Sequence, residues 1–248
     1  MSSQSLEQAR DRLMVALDVS SLSEAERLAE PLVGRVGWAK VGKQLFVAEG
    51  PESVRRLRAK GFRVFLDLKF HDIPNTVASA AVEAMRLGVD LMNVHAIGGR
   101  RMMEATVQRV HAEASRLGQV PPRIIAVTVL TSLEAADLEE VGLAGQPVDW
   151  VRRWSTLTRD SGLDGVVCSP HEVATLRREH GDDFLLVTPG IRPPDAAPDD
   201  QRRTMSAGEA IAAGASKLVI GRPLTAAAEP AAAADAFARE VASMLPAH

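Results

Sequence analysis

The third apolar run of the chain reads Val64-Phe65-Leu66-Asp67-Leu68-Lys69-Phe70, and His71-Asp72-Ile73-Pro74-Asn75-Thr76 follows it directly. The run has the length and apolar content of a buried strand. Side chains two residues apart on a strand point to the same side, so Asp67 and Lys69 share one face and the apolar residues between them the other. Asp72 lies just beyond the predicted strand, where the chain is free to turn. The stretch therefore predicts a parallel strand with charges at its C-terminal end.

Seven more apolar runs lie on either side of this one: Leu13–Val19, Trp38–Phe46, Leu91–Ala96, Ile124–Leu130, Gly165–Pro170, Leu185–Ile191 and Lys217–Pro223. Segments with helical spacing separate them, and several end in a glycine, the usual residue just past a helix. Eight strands alternating with eight helices predict an α/β fold, a single-domain (β/α)8 TIM barrel over residues 1–248. A doubly wound open sheet stays as the alternative, because periodicity does not prove that a sheet closes.

The composition narrows the class of protein. The chain has 248 residues, 46% apolar and 25% charged, with a formal net charge of −3, so no broad attraction to nucleic acid or to a membrane surface is expected. The single cysteine, Cys168, suits a reducing compartment. Residues 1–11 are predicted to be a polar N-terminal extension, and no apolar run approaches the roughly 18 residues that span a bilayer. A cytoplasmic protein is expected.

Charged residues are predicted to meet at one end of this barrel, where the C-terminal ends of the strands carry the reacting groups of such folds. Asp18 closes the first predicted strand and Lys40 lies within the second, while Asp67, Lys69 and Asp72 belong to the third. A buried structural ion pair would explain any one of these residues. Together they exceed what such a pair needs, since burying charges is costly. Such a cluster favours a reaction site.

A second pattern predicts a phosphate site. Gly190-Ile191-Arg192-Pro193 ends the seventh predicted strand, and Gly221-Arg222-Pro223 ends the eighth. The loops after these two strands form the recurring phosphate site of (β/α)8 barrels. Glycine lets backbone N–H groups approach the phosphate, and arginine supplies a forked donor. Residues 192–205, which are rich in proline and polar residues, form the one long aperiodic stretch of the sequence, and a loop of that length is usually functional or disordered.

From Ala16-Leu17-Asp18 to Gly221-Arg222-Pro223-Leu224-Thr225 the sequence resembles the orotidine 5′-phosphate decarboxylase family of the bacterial type, most specifically from Asp67 to Thr76. The resemblance implies a lyase of pyrimidine biosynthesis that forms UMP and CO2 from orotidine 5′-phosphate, without a metal or other cofactor. Two positions depart from the family pattern: Met205 replaces a usual proline, and Leu224 a more frequent isoleucine.

The resemblance also implies roles for individual residues. The charge network would consist of Lys40, Asp67, Lys69 and Asp72, with Lys69 as the proton donor. Asp18 and Lys40 would bind the ribose hydroxyls or support the network, and Thr131 would lie near the pyrimidine, with Ser132 as a competitor for that contact. Arg192, Gln201, Gly221 and Arg222 would hold the phosphate, and residues 192–205 would close over it as a lid. A homodimer is implied, in which Asp72 and Thr76 reach the neighbouring subunit's site.

Two rival functions remain open. The first is a magnesium-dependent sugar-phosphate decarboxylase or aldolase of the same barrel group, which needs an added acidic residue near the second strand. Lys40 occupies that region here, and a cation there disfavours Mg²⁺. The second rival is a non-catalytic phosphate-binding barrel, which would leave the charge cluster without a purpose.

Overall fold

The computed structural model describes residues 3–193 and 204–245. Eight parallel strands pair in chain order, and β1 also pairs with β8, so the sheet closes into a barrel. This closure confirms the predicted (β/α)8 barrel and excludes the open sheet. The strands are β1 Leu13–Leu17, β2 Trp38–Gly42, β3 Arg63–Phe70, β4 Leu91–His95, β5 Arg123–Val127, β6 Gly165–Val167, β7 Leu185–Thr188 and β8 Lys217–Ile220.

Helices surround the barrel, and the described residues contain more of them than the one per strand that the sequence pattern indicates. They are α1 Ser3–Asp11, α2 Leu22–Ala29, α3 Lys43–Glu49, α4 Glu52–Ala59, α5 Pro74–Arg86, α6 Arg100–Leu117, α7 Ala135–Glu140, α8 Pro147–Asp160, α9 Val173–His180, α10 Ala207–Ala212, α11 Arg222–Thr225 and α12 Pro230–Met244, with 3-10 turns at Glu30–Leu32, Ala96–Gly98 and Pro170–Glu172. Within the described ranges, none of these helices is long and apolar enough to cross a membrane.

The strands are buried on both faces, which explains their nearly continuous apolar sequences. Inward-facing side chains fill the barrel as one core, made of Met14, Ala16, Trp38, Phe65, Leu91, Ile125, Val187 and Val219. A second, larger core lies between the strands and the helices. The barrel interior is therefore packed below its mouth, and the open space lies at one end.

Two segments differ from the sequence-based expectation. The apolar run Trp38–Phe46 is longer than its strand: β2 ends at Gly42, and α3 begins at Lys43. Within the predicted polar extension, residues 3–11 form α1, whose Ala9 is fully buried and whose Arg10 forms an ion pair with Asp235 of α12. Helix α1 is therefore part of the barrel's outer layer.

Candidate active site

A cavity of about 620 Å³ opens at the C-terminal end of the barrel. That volume is within the range of small-molecule sites. Eight of the predicted site residues line it: Asp18, Lys40, Asp67, Lys69, Thr131, Arg192, Gly221 and Arg222. The closed barrel brings these residues together from strands that are far apart in the sequence.

A chain of alternating charges crosses the floor of the cavity. The Lys40 Nζ lies 2.9 Å from Asp18 Oδ1 and 3.3 Å from Asp67 Oδ2. The other oxygen of Asp67, Oδ1, accepts a hydrogen bond from Lys69 Nζ at 2.5 Å. The Lys40 and Asp67 side chains are 9% and 12% exposed, so each would be costly to bury alone. Each charge is compensated by a neighbour of opposite sign.

The network keeps its buried members ionised. Burial alone would lower the pKa of Lys40, but the Asp67 and Asp18 carboxylates raise it above its usual value. Burial alone would raise the pKa of Asp67, but the Lys40 and Lys69 ammonium groups lower it below its usual value. Lys40 therefore stays a cation and Asp67 an anion at neutral pH.

Strand β3 is irregular where it enters the cavity. Leu66 pairs with Met92 and Phe70 with Val94, so the three residues from Asp67 to Lys69 face one residue of β4. Lys69 has a φ of 55° and is the one non-glycine residue with a positive φ in the part of the chain that the structure describes. That backbone conformation costs on the order of 1–3 kcal/mol. The predicted shared face of Asp67 and Lys69 is present, but on a bulged strand.

The residue of β4 that faces the bulge is Asn93, which sequence reasoning did not single out. Asn93 is fully buried, and its Nδ2 donates to Asp67 Oδ1 at 2.7 Å. Its Oδ1 accepts a hydrogen bond from the backbone N–H of Lys69 at 2.8 Å. A polar residue in the middle of an apolar run is the signal that could have identified it.

The two glycine–arginine loops meet at the other side of the cavity. Gly190 and Arg192 follow β7, and Gly221 immediately precedes the short helix α11, which starts at Arg222. Met205 pairs with Ile191 through backbone hydrogen bonds, so both ends of the predicted lid are anchored beside β7. Gln201, and the lid from 194 to 203, lie outside the described residues.

Three further residues that the sequence analysis considered for the site, Ser132, Asp72 and Thr76, do not line the main cavity. Thr131 lines the main cavity, whereas its competitor Ser132 lines only a smaller neighbouring pocket. Asp72 is exposed, and its Oδ1 accepts a hydrogen bond from the backbone of Ile73. Thr76 is also exposed, on α5. Neither Asp72 nor Thr76 lines the cavity of its own chain.

Two more residues at the mouth were not assigned a role from the sequence. Lys43 begins α3 and lines the cavity as an additional cation. His95, at the end of β4, lies beside His71 with 5.7 Å between ring centroids and an angle of 44° between the ring planes. Burial, and electrostatic interaction with the neighbouring His71, Lys69 and Lys43, lower the pKa of His95 to about 4. Its imidazole is therefore neutral at neutral pH.

A closed parallel barrel with a charged mouth and two glycine–arginine loops defines the class of (β/α)8-barrel enzymes that act on phosphorylated small molecules. Sequence comparison then identifies the family within that class. The chain belongs to the "Orotidine 5'-phosphate decarboxylase / HUMPS family", whose sequence model matches residues 11–237.

Individual relatives agree with this assignment. The chain is 51% identical over 234 residues to the orotidine 5′-phosphate decarboxylase of Moorella thermoacetica, covering 94% of this chain and 93% of that protein. It is 54% identical over 232 residues to that of Halorhodospira halophila, covering 94% and 96%. The crystal structure of the Lactobacillus acidophilus orotidine 5′-phosphate decarboxylase matches with a TM-score of 0.83 and 36% identity, over 93% of this chain and 99% of that one.

Proposed function

We propose that Lys69 carries the central step by which this barrel decarboxylates orotidine 5′-phosphate to UMP. The activity, a carbon–carbon lyase reaction of pyrimidine biosynthesis, follows from the family and from relatives that are 51% and 54% identical along nearly the whole chain. The observation that carries the role of Lys69 is its position: it lines the cavity while its ammonium group is held by Asp67.

The chemistry needs a fixed cation at the reacting carbon. When the bond between C6 and the carboxylate carbon breaks, CO2 leaves and the electron pair stays on C6 in the plane of the ring. No adjacent carbonyl can receive that charge, and most decarboxylases therefore use a cofactor as an electron sink. The Lys69 ammonium stabilises the carbanion electrostatically and then transfers a proton to C6. Water returns the proton to Lys69.

The acidic residues of the network prepare this step. Asp67 holds the Lys69 ammonium at 2.5 Å and is itself fixed by Lys40. Asp67 also repels the departing carboxylate, since two like charges 4 Å apart repel by about 4 kcal/mol at an effective dielectric constant of 20. We rank carbanion stabilisation by Lys69 first, because it acts on the charge that develops in the transition state.

The rest of the substrate is assigned to the other walls of the cavity. Asp18 and Lys40, joined by an ion pair, bind the ribose hydroxyls, and Thr131 contacts the pyrimidine. The phosphate is held by Arg192, Gln201, Gly221 and Arg222, and residues 192–205 close over it as a lid. Phosphate binding far from C6 then supplies the free energy for closing the site.

Mutation of two cavity residues tests these roles. Lys69→Ala removes the proton donor, so kcat should fall by about 10⁴-fold or more, because general acid catalysis and electrostatic stabilisation are lost together. Arg222→Ala should mainly raise KM for orotidine 5′-phosphate. Steady-state kinetics measures both. Equal and modest losses in the two variants would refute the assignment, and UMP binding without any turnover by the unmodified protein would favour a non-catalytic barrel.

We propose that no metal takes part. Lys40 Nζ already lies against the carboxylates of Asp18 and Asp67, where a divalent cation of a magnesium-dependent barrel would need acidic ligands. Decarboxylation should therefore persist after extensive treatment with EDTA. Loss of activity that Mg²⁺ restores would favour the magnesium-dependent rival.

We further propose a homodimer in which Asp72 and Thr76 complete the partner's site. Both residues are exposed, and Ile73 and Ile97, near the same rim, are 68% and 50% exposed. Apolar side chains of this kind favour burial in an interface. The arrangement would bring the Asp72 carboxylate to the Lys69 ammonium of the neighbouring subunit.

Subunit mixing tests this arrangement directly. Lys69→Ala and Asp72→Ala should each be inactive alone, since every site of either homodimer lacks one group. After unfolding and refolding together at equal amounts, half of the dimers should be mixed, and each mixed dimer has one intact site of two. About a quarter of the unmodified activity should return. No recovery from two inactive variants would place Asp72 in its own subunit's site, and an active Asp72→Ala variant would place it outside the site.

We propose a cytoplasmic location, which the single cysteine, fully buried at position 168, supports. Cell fractionation followed by the decarboxylase assay tests it, and activity in the membrane or secreted fraction would contradict it.

A further inference from the structure

The amide of Asn93 is the contact through which strand β4 reaches the reaction network. Asn93 is fully buried and faces the three bulged residues of β3. Its Nδ2 donates to Asp67 Oδ1, the same oxygen that accepts from Lys69 Nζ. Its Oδ1 accepts from the backbone N–H of Lys69. One side chain thus holds both the carboxylate partner and the backbone of the proposed proton donor.

The two hydrogen bonds require one side chain that carries both a donor and an acceptor, as the Asn93 amide does. The carboxylate of Asp67 needs a donor, and the N–H of Lys69 needs an acceptor, so the orientation of the Asn93 amide is fixed by its partners. An aspartate in its usual ionised form would present only acceptors to Asp67, and a leucine would present neither group. An N–H displaced from the strand ladder by a bulge must find another partner when it is buried.

We infer that Asn93 is a positioning residue that sets the reacting geometry of Lys69, an inference that rests on the proposed role of Lys69. The hydrogen bond to the Lys69 N–H stabilises the left-handed backbone, with φ of 55°, that turns this side chain into the cavity. The hydrogen bond to Asp67 Oδ1 fixes the rotation of that carboxylate. Its two oxygens then face Lys69 and Lys40 separately.

The consequence is specific to the chemical step. Without the amide, the backbone at Lys69 can relax toward ordinary strand geometry, and its Nζ moves relative to C6. A displacement of about 1 Å at a reacting group can cost about 10²-fold in rate. The ribose and phosphate contacts come from β1, β2, β7 and β8, so substrate binding should change little.

Two substitutions that differ in size test the inference. Asn93→Ala leaves space, Asn93→Leu keeps the number and branching of the side-chain heavy atoms, and both remove the donor and the acceptor. For both variants kcat should fall about 10²-fold while KM for orotidine 5′-phosphate and Kd for UMP stay within about threefold. Each assay is run well below the variant's own melting temperature, so that kcat describes folded enzyme.

Thr158→Val is the matched control for the loss of a buried hydrogen bond. Thr158 is fully buried in α8, and its Oγ1 donates to the backbone of Trp154 at 2.7 Å, away from the cavity. The control should lower the melting temperature and leave kcat within about twofold of the unmodified enzyme. A merely structural role for Asn93 predicts the same pattern for both positions.

The outcomes separate this inference from the proposed function. If Lys69→Ala is inactive while both Asn93 variants keep kcat within about threefold, the positioning role is wrong and the role of Lys69 stands. If KM rises in proportion to the fall in kcat/KM, Asn93 acts on binding and the inference is also wrong. If Lys69→Ala itself remains active, the proposed function fails first.

Discussion

At the C-terminal end of the barrel, Asp67 lies between Lys40 and Lys69. At the N-terminal end, Asp11 lies between Lys217 and Arg63 in a similar arrangement. Both clusters join residues that are distant in sequence, and each places one carboxylate between two basic side chains. This pattern of acidic and basic side chains does not by itself distinguish the two ends.

The cluster at the N-terminal end, which consists of Asp11, Lys217 and Arg63, surrounds an aromatic ring. The Arg63 guanidinium lies 4.3 Å from the Trp38 ring centroid, and Lys217 Nζ lies 5.0 Å from it. The backbone oxygen of Asp11 accepts hydrogen bonds from Trp38 Nε1 at 3.0 Å and from Lys217 Nζ at 2.7 Å. Trp38 is 6% exposed and belongs to the barrel's inner core. These side chains close the N-terminal end of the barrel and hold α1 against it through Asp11.

The cluster at the C-terminal end, in contrast, borders open space. Lys40, Asp67 and Lys69 line a cavity of about 620 Å³, and the strand that carries two of them is bulged and strained. Strain persists only where the surrounding structure enforces it, and it concentrates at functional sites. The proposed reaction site therefore differs from the structural cluster at the N-terminal end in its open volume and its strained backbone, and not in its buried charge.

Replacing the bridging carboxylate at each end gives the largest expected contrast. Asp67→Asn leaves Lys40 and Lys69 without their shared counter-charge, so kcat should fall by about 10³-fold. Asp11→Asn makes the same chemical change below the core and should leave kcat within about twofold. It should lower the melting temperature by about 2–8 °C, because charged hydrogen bonds worth about 1–2 kcal/mol are lost.

Steady-state kinetics and thermal unfolding of Asp67→Asn and Asp11→Asn test this contrast between the two ends of the barrel. A comparable loss of kcat in Asp11→Asn, measured well below its melting temperature, would break the distinction between the two ends. Full activity of Asp67→Asn would remove the charge network from the mechanism.

A smaller effect should come from the cation at the rim. Lys43 lines the cavity and attracts an anionic substrate, so Lys43→Gln should lower kcat/KM by about 3- to 10-fold at low ionic strength. The difference should shrink as salt is added, since screening acts on exposed charges. Lys60→Gln is the matched control, because Lys60 pairs with Glu30 and lies at the end of α4, near the N-terminal end of β3 and away from the cavity. A salt-independent loss in Lys43→Gln would point to direct contact with the substrate instead of steering.

The sequence predicted the residues at the C-terminal end of the barrel better than the structure at its N-terminal end. Asp67 and Lys69 were found because period-two spacing places side chains on one face whatever the strand's finer geometry. Arg192 and Arg222 were found because glycine–arginine pairs follow the last two strands. The helical nature of residues 3–11 was missed, since a short polar segment gives little apolar periodicity until its partner α12 is known.

The bulge of β3, and the position of Asn93 opposite it, were missed for a different reason. The register of β3 against β4 depends on long-range pairing, and nothing local indicates that three residues face one. The positive φ of Lys69 runs against the preference of any residue other than glycine, so local propensity predicts the wrong backbone there. Features enforced by distant partners are the ones that a single sequence conceals.

The smallest expected effect concerns stability at the mouth and comes from His95. Its folded pKa of about 4 is below the ordinary 6.5, so the unfolded chain binds a proton first as the pH falls. The stability contributed by neutral His95 is complete above pH 6.5 and is lost as the pH falls toward 4. Because the ring is partly exposed, we expect a loss of about 1 kcal/mol between pH 7 and pH 5.

Urea unfolding of two variants at pH 7 and pH 5 isolates this contribution from that of the carboxylates. His95→Asn should show a smaller fall in the free energy of unfolding than the unmodified protein, by about 1 kcal/mol. His111→Asn, at an exposed position of α6, should follow the unmodified protein. Equal pH dependence in all three would show that His95 is protonated without cost in the folded state. The mouth of the barrel would then tolerate an additional positive charge beside Lys69 and Lys43.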